Sequence, residues 1–316
     1  MKNTELLLYP FIVPNLKYLR KLIRKGVRPS EIKYSILHDS IYLKKFGLQV
    51  SKNQNLFVLE GIDMLVNLTD QAGAQVKVDE NGRLVIGIQS LELPVRSFQE
   101  LEIMHEIYFK GIYNVQISGE YILIDIGMNV GMTSLYFASR ANVLGVYAYE
   151  PFEETFKLGQ MNIRGNSEVS RKIHAFNYGI GGQSEELTVD YLPEFRGSVG
   201  VKGIPPRFVA DTLKQSLSKK KIRIRRADEV VREVRAVAGT TRLVAKIDCE
   251  GSEYEILRLL DSQSLLQEFC CIMLEWHEKG PGDIIEVLER NGFCCFSFEP
   301  HRKDIGMIYA VHADRH

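Results

Sequence analysis

Several things are scarce or missing in this chain, and each absence removes a class of function. Cysteine is sparse: Cys249, Cys270, Cys271, Cys294 and Cys295 are all there is. One single and two adjacent pairs make neither a Cys-x-x-Cys zinc pattern nor a secreted disulfide framework. Most lie in apolar runs, as small hydrophobes, so a reducing, cytoplasmic compartment is expected. Net charge is also missing, since 40 basic residues balance 40 acidic ones, and nothing global argues for a nucleic-acid partner. No apolar run approaches the ~20 residues of a membrane-spanning helix. The apolar patch from Leu6 to Val13 is broken by Pro10 and Pro14 and carries no small-residue cleavage site, so it reads poorly as a signal peptide. Gly-Lys-Ser/Thr, G-x-G-x-x-G and Tyr-x-x-x-Lys are all absent. Their absence argues against a P-loop, a dinucleotide fingerprint and a nicotinamide-dependent oxidoreductase. No repeat or low-complexity tract occurs.

What is present suits a globular protein. The 316 residues, 45% of them hydrophobic, can bury one large domain or one domain with an appendage. Residues 1–95 read as an accessory region. Helices punctuated by Gly26, Pro29 and Gly47 are expected to about residue 50, and short strands from Leu56 to Ile88. The first helix carries Lys17, Arg20, Lys21, Arg24 and Lys25, which form either a solvated face or a peripheral contact with an anionic membrane surface. "QVKVDENGRLVIGI" alternates around Asn81-Gly82, a hairpin signal. "SFQELEIMHEIYFKG" begins a helix, with Ser97 as N-cap and Glu100 completing a capping box.

From residue 96 to 316 a second region is expected. Apolar runs ending at Ile126, Ala148, Phe176, Ile247 and Leu274 alternate with helical patterns. That rhythm predicts an α/β fold, a doubly wound, mostly parallel sheet with helices on both faces. The last two runs, "GFCCFSFEP" and "IGMIYAVHA", are close enough to pair antiparallel. A long insertion precedes the fourth run. Its "GIPPRF" is a candidate acceptor-binding flap. Its "SKKKIRIRR" reads as a solvated loop leading into a strand, with Ile222 and Ile224 inward, or as a basic patch that steers an anionic acceptor.

The stretch "YILIDIGMNVGMTSLYFASRANVLGVYAYEP" holds the central clue. "ILID" has the continuous apolar character of a central parallel strand ending in Asp125. Gly127 and Gly131 follow, where backbone can approach a ligand. An acid before the turn repels phosphate and suits an ammonium group. Glu150, ending the next strand, is placed to accept hydrogen bonds from both hydroxyls of a ribose. Ammonium at one end and ribose at the other, without pyrophosphate, describe S-adenosyl-L-methionine. Taken singly, Asp125 also reads as a turn cap and Glu150 as a solvated strand end.

Five stretches in order, "SFQELEIMHEIYFKGIYN", "LIDIGMNVGMTSLYFA", "VYAYEPFEETFKLGQMNI", "AKIDCEGSEYEIL" and "CIMLEWH", resemble the FkbM-type methyltransferase family. The resemblance implies a seven-stranded methyltransferase sheet. It also implies a cofactor, S-adenosyl-L-methionine, and transfer of methyl to a hydroxyl of a sugar, glycolipid or natural product. It places Asp125, Gly127, Asn129 and Gly131 on the methionine side, Glu150 on the ribose, and Tyr178 and Gly179 near the adenine. Met128 stands where the family's first loop carries smaller residues.

"LVAKIDCEGSEYEIL" supplies a second constellation. Lys246, Asp248 and Glu250 alternate along a strand end. A lysine in a central strand needs a partner, and Asp248, Glu250 or Glu253 are expected to provide it. An alcohol that accepts methyl must lose a proton. Asp248, Glu250, Glu275 and His277 are the candidate catalytic groups, with Asp248 also near the cofactor. The same four suit a divalent cation, but their spacing selects no metal and none is assigned. A non-catalytic scaffold retaining the fold would let these strand ends decay, and here they are intact.

Overall fold

The computed structural model describes residues 16–35, 37–192, 200, 203, 217–298 and 304–313. The patch at 6–13 and, apart from Gly203, the "GIPPRF" stretch lie outside them. The chain divides into two compact units, Met1–Asn114 and Val115–His316.

The first unit opens with helix α1 (Leu16–Arg24), followed by an antiparallel sheet of β1 (Ile32–Ser35), β2 (Ser40–Leu43) and β3 (Leu48–Ser51). Helices were expected to about residue 50, so this is a correction. Ile41, Leu43, Leu48 and Val50 alternate inward as a sheet requires. The reverse holds beyond residue 56. A 3₁₀ turn, Leu56–Leu59, and helix α2 (Ile62–Asp70) stand where strands were expected. Ile62, Leu65 and Leu68 recur every three residues and are all buried, a helical face that β-branched content obscures. The meander β4 (Gln75–Val78), β5 (Leu84–Ile88) and β6 (Leu91–Pro94) follows. Val78 pairs with Leu84 across the expected Asn81-Gly82 turn, with Gly82 at φ +71°. Helix α3 (Phe98–Met104) is capped by Ser97, whose hydroxyl accepts the Glu100 N–H. The Glu100 carboxylate reaches back to Arg96 N–H at 2.7 Å, one residue beyond the cap. A π-turn, His105–Lys110, extends α3 within this unit.

The second unit is built on β7 (Tyr121–Ile126), helix α4 (Met132–Ala138), β8 (Val143–Tyr149), helices α5 (Glu153–Gly165) and α6 (Ser167–Ser170), and β9 (Ile173–Phe176). Then come β10 (Gly179–Gly181), β11 (Glu185–Tyr191), β12 (Ser218–Arg226), α7 (Ala227–Ala238), β13 (Arg242–Ile247), α8 (Glu253–Ser262), β14 (Phe269–His277), α9 (Gly282–Arg290), β15 (Phe293–Phe298) and β16 (Ile305–His312). Seven strands form one sheet in the order β15-β16-β14-β13-β7-β8-β9. The five strands from β14 to β9 run parallel, and β16 lies antiparallel to both β14 and β15. This is the doubly wound α/β sheet with an antiparallel strand that the apolar rhythm predicts. Strand β7 is buried along its whole length. The chain winds outward in both directions from the seam between β7 and β13, where such sheets bind ligands.

Part of the insertion forms a small sheet, β10-β12-β11. "SKKKIRIRR" is therefore strand β12 throughout, not a loop. Ile222 and Ile224 pack with Phe152, Val189 and Tyr191, and Arg223 between them is exposed.

Candidate active site

The turn after β7 is shaped by close approach. The N–H groups of Gly127 and Met128 both donate to the Tyr149 carbonyl, at 3.1 and 2.9 Å, which ties the turn to the end of β8. Gly127 has φ +84°, and a Cβ there would overlap the Asp248 carbonyl oxygen. Only glycine lets β7 and β13 end so close together. Asn129 takes φ +53°, a left-handed conformation that asparagine tolerates. Met128 is buried and fills the space left at Gly159, where a Cβ would lie 2.7 Å from its Cε. The departure at Met128 is thus absorbed by a glycine on α5. Gly131, at φ +78°, starts α4.

Glu150 sits just past β8 and is buried. One carboxylate oxygen accepts the Asn129 N–H at 3.0 Å, and the other accepts the Phe152 N–H at 3.0 Å. Burial pushes its pKa up to about 7, against the pull of those two bonds. Asn177, which the sequence reading passed over, donates to the Glu150 carbonyl at 2.9 Å. Tyr178 is buried in the core and packs against Arg225, which donates to its hydroxyl at 3.4 Å. A Cβ at Gly179 would lie 2.7 Å from Ile224 Cδ1. Both residues therefore have packing roles against β12.

Asp125 and Lys246 are register partners on β7 and β13, so their side chains share a face. Lys246 Nζ lies 3.3 Å from Asp125 Oδ1 and 3.5 Å from Asp248 Oδ2. It donates to the Gly127 carbonyl at 2.7 Å. Burial alone would lower the lysine pKa, but Asp125 and Asp248 outweigh it and hold the ammonium charged. Ser134 donates to the other Asp125 oxygen at 2.5 Å. Asp125 is completely buried and serves this network. Of the expected lysine partners Asp248 is present. Asp125 was not among them, because pairing across strands depends on register, which a single sequence leaves open.

His277, near the end of β14, is 4% exposed. Its Nδ1 lies 3.1 Å from Glu253 Oε1, and its Nε2 lies 3.5 Å from Glu250 Oε2. Burial lowers its pKa, but the bond to Glu253 and the charges of Glu250, Glu253 and Asp248 overcome this and raise it to about 10. Glu253 is fully buried at the start of α8 and accepts the N–H groups of Cys249 and Gly251. Burial raises its pKa, yet the His277 partner brings it below the usual range. Glu253 was one of three alternatives expected on Lys246, and it holds His277 instead. Its place in a first helical turn was the only available signal. Glu250 has φ +55°. Donor atoms of Asp248, Glu250 and His277 all lie within 4.8 Å of one another. Glu275 is on the same face of β14, two residues before His277, outside that trio. Gly200 of the insertion packs on Glu250, where an added Cβ would meet the Glu250 Cβ at 2.8 Å.

One atom at the glycine turn fits a nucleoside with an amino-acid end. Asn129 Oδ1 is buried without a hydrogen-bond partner among the described residues, an acceptor suited to an ammonium group. The Glu150 oxygens keep further lone pairs for hydroxyl donors.

The strand order, the glycine turn and the acid after the second parallel strand define a class, the Rossmann-like methyltransferases that use S-adenosyl-L-methionine. Residues 125–295, more than half of the chain, match the methyltransferase FkbM domain, and the chain belongs to that family. It is 24% identical over 229 residues to the AMB antimetabolite synthetase AmbE of Pseudomonas aeruginosa, a match covering 60% of this chain and 10% of the synthetase. It is 25% identical over 175 residues to Methyltransferase 1 of Beauveria bassiana, covering 52% of this chain and 69% of that protein. The crystal structure of methyltransferase FkbM from Methylobacillus flagellatus superposes with a TM-score of 0.39 at 12% identity, over 80% of this chain and 60% of that one.

Proposed function

We propose that the chain methylates a hydroxyl group on a sugar, a glycolipid or a related natural product. The observation that carries this reading is the convergence of Asp248, Glu250 and His277 at strand ends next to the glycine turn. The similarity to an antimetabolite synthetase supports a natural-product acceptor. S-adenosyl-L-methionine, when bound, supplies an electrophilic sulfonium methyl group. Asn129 Oδ1 holds the amino-acid end, and Glu150 accepts from the ribose hydroxyls. Asp125 acts at one remove: by holding Lys246, which bonds the Gly127 carbonyl, it keeps the turn closed against β13. Asp248 and Glu250 meet the acceptor hydroxyl, and a carboxylate oxygen takes its proton. Glu253 orients His277 so that Nε2 faces Glu250 and supports that transfer. Orientation contributes most of the rate, since well-placed reactants reach effective molarities of ~10⁵ M or more.

The test is incubation of the purified chain with methyl-labelled cofactor and a panel of hydroxyl-bearing glycans, glycolipids and polyketide-type acceptors. Mass spectrometry and NMR of the product should place the label on oxygen. A label on nitrogen or carbon would overturn the hydroxyl reading while leaving methyl transfer intact.

A further inference from the structure

We infer that the first unit carries a binding site of its own, for a sugar that bears a carboxylate or phosphate group. The inference goes beyond the methyl transfer proposed above and does not depend on it. The site is a cavity of about 670 Å³, within the usual size of small-ligand pockets. It is lined by the turn after β3, the start of the 3₁₀ turn Leu56–Leu59, the β4–β5 hairpin tip and the residues just after β6. Hydrogen bonds between these segments form the walls in advance. Asn55 is buried and takes φ +56°. Its amide donates to the Gln49 and Gly82 carbonyls at 3.0 and 2.9 Å, and its Oδ1 accepts the Leu84 N–H at 3.2 Å. Gln54 donates to the Asn81 carbonyl at 2.7 Å. These two amides fasten the turn after β3 to the hairpin.

The lining sets the ligand chemistry. Lys52, Arg83 and Arg96 line the cavity, and no Asp or Glu among the described residues does. Arg96 is held by the buried Glu100 at 3.5 Å. Among the described residues, neither Lys52 Nζ nor the Arg83 guanidinium has an ion-pair or hydrogen-bond partner. Asp79, in the same hairpin turn, is already engaged, since one of its oxygens accepts the N–H groups of Asn81 and Arg83, both at 2.8 Å. Two unpaired cations on one concave surface attract an anion, and a guanidinium grips carboxylate or phosphate with two parallel bonds. Asn53 and Asn81 also line the cavity, and an amide pairs with hydroxyls as donor and acceptor together. Leu56 and Phe57 are only partly buried there, which gives an apolar patch for the C–H face of a sugar ring. A simple anion uses neither the amides nor the apolar patch, and a lipid chain is opposed by both the cations and the amides. A charged sugar uses all three.

Calorimetric titration of the full chain with trigalacturonate and with glucose 6-phosphate tests this. At least one should bind, and its neutral counterpart, trimethyl trigalacturonate or glucose, should bind about 10-fold more weakly or worse. Lys52→Gln and Arg83→Gln should each weaken the anion about 10-fold or more. The control Lys33→Gln, on an exposed position of β1 outside the cavity, should change nothing. Both cavity variants alter exposed residues, so circular dichroism melts should match wild type and S-adenosylhomocysteine should bind them unchanged. A preference for trigalacturonate assigns a carboxylated sugar, and one for glucose 6-phosphate a phosphorylated sugar. Binding of neither anion, equal binding of the neutral forms, or undiminished binding in both cavity variants overturns the site. An equal loss in Lys33→Gln, or tighter binding of AMP than of either sugar, overturns it too. Methyl label found on nitrogen or carbon of an acceptor would sink the hydroxyl reading and leave this site standing.

Discussion

Glu150 is where burial and ligand chemistry meet most directly. Its pKa rises to about 7 from 4.5 because it is buried, so the folded state holds a proton that the unfolded chain releases. The stability it contributes is complete below pH ~4.5 and is lost as pH rises through ~7. Urea unfolding at pH 5 and pH 8 should show wild type losing roughly 2–3 kcal/mol more than Glu150→Gln between them. Equal losses would mean that Glu150 titrates normally. Ribose hydroxyls donating to the carboxylate favour its ionised form, so S-adenosylhomocysteine binding near pH 6.5 should release protons. Calorimetry in two buffers of different ionisation enthalpy reads that release. Glu150→Ala should weaken the same ligand about 10- to 100-fold, the worth of hydrogen bonds to a charged group. Lys246 poses the opposite problem. Lys246→Met strands Asp125 as a buried, uncompensated charge and should cost ~3–5 kcal/mol. Adding Asp125→Asn should recover much of that loss, and a double-mutant cycle measures the coupling.

At the scale of elements, the junction between β7 and β13 depends on Gly127. Gly127→Ala combines φ +84° with overlap on the Asp248 carbonyl and should destabilise the fold by ~4 kcal/mol or more. Gly165 ends helix α5 with open space around it. Gly165→Ala should therefore be neutral or stabilising by up to ~1 kcal/mol. Thermal melts of the two variants separate a glycine required by close approach from one that is merely present. The strands were legible where their patterns were long: β7, β8, β13 and β14 read as apolar runs because parallel strands are buried on both faces. The segments before residue 70 were misread, β1 to β3 as helices and α2 as strand. Four-residue strands and a nine-residue helix give too few periods for spacing to separate 2 from 3.6.

For the whole molecule, cofactor binding should appear as global stabilisation. A ligand at ~100 times its dissociation constant adds ~2.7 kcal/mol, several degrees in melting temperature for a chain of this size. A scan with S-adenosylhomocysteine should show that shift, and NAD⁺ should not. An unshifted melt with S-adenosylhomocysteine would contradict the cofactor. No helix among the described residues is long and apolar enough to cross a membrane, in keeping with the absence of a ~20-residue apolar run.

By itself the sequence determined the order of the seven main-sheet strands, the antiparallel final pair, the glycine turn and the acids that flank it, but not the small β10-β12-β11 sheet. Those features follow from hydrophobic period and from turn chemistry, which act between neighbours in the chain. Tertiary structure decided who meets whom. It paired Asp125 with Lys246 across 121 positions, gave His277 to Glu253 rather than leaving that acid for the lysine, and drew Asp248 and Glu250 to the imidazole. These contacts arise from strand register and from the approach of separate strand ends, and neither leaves a mark in local composition.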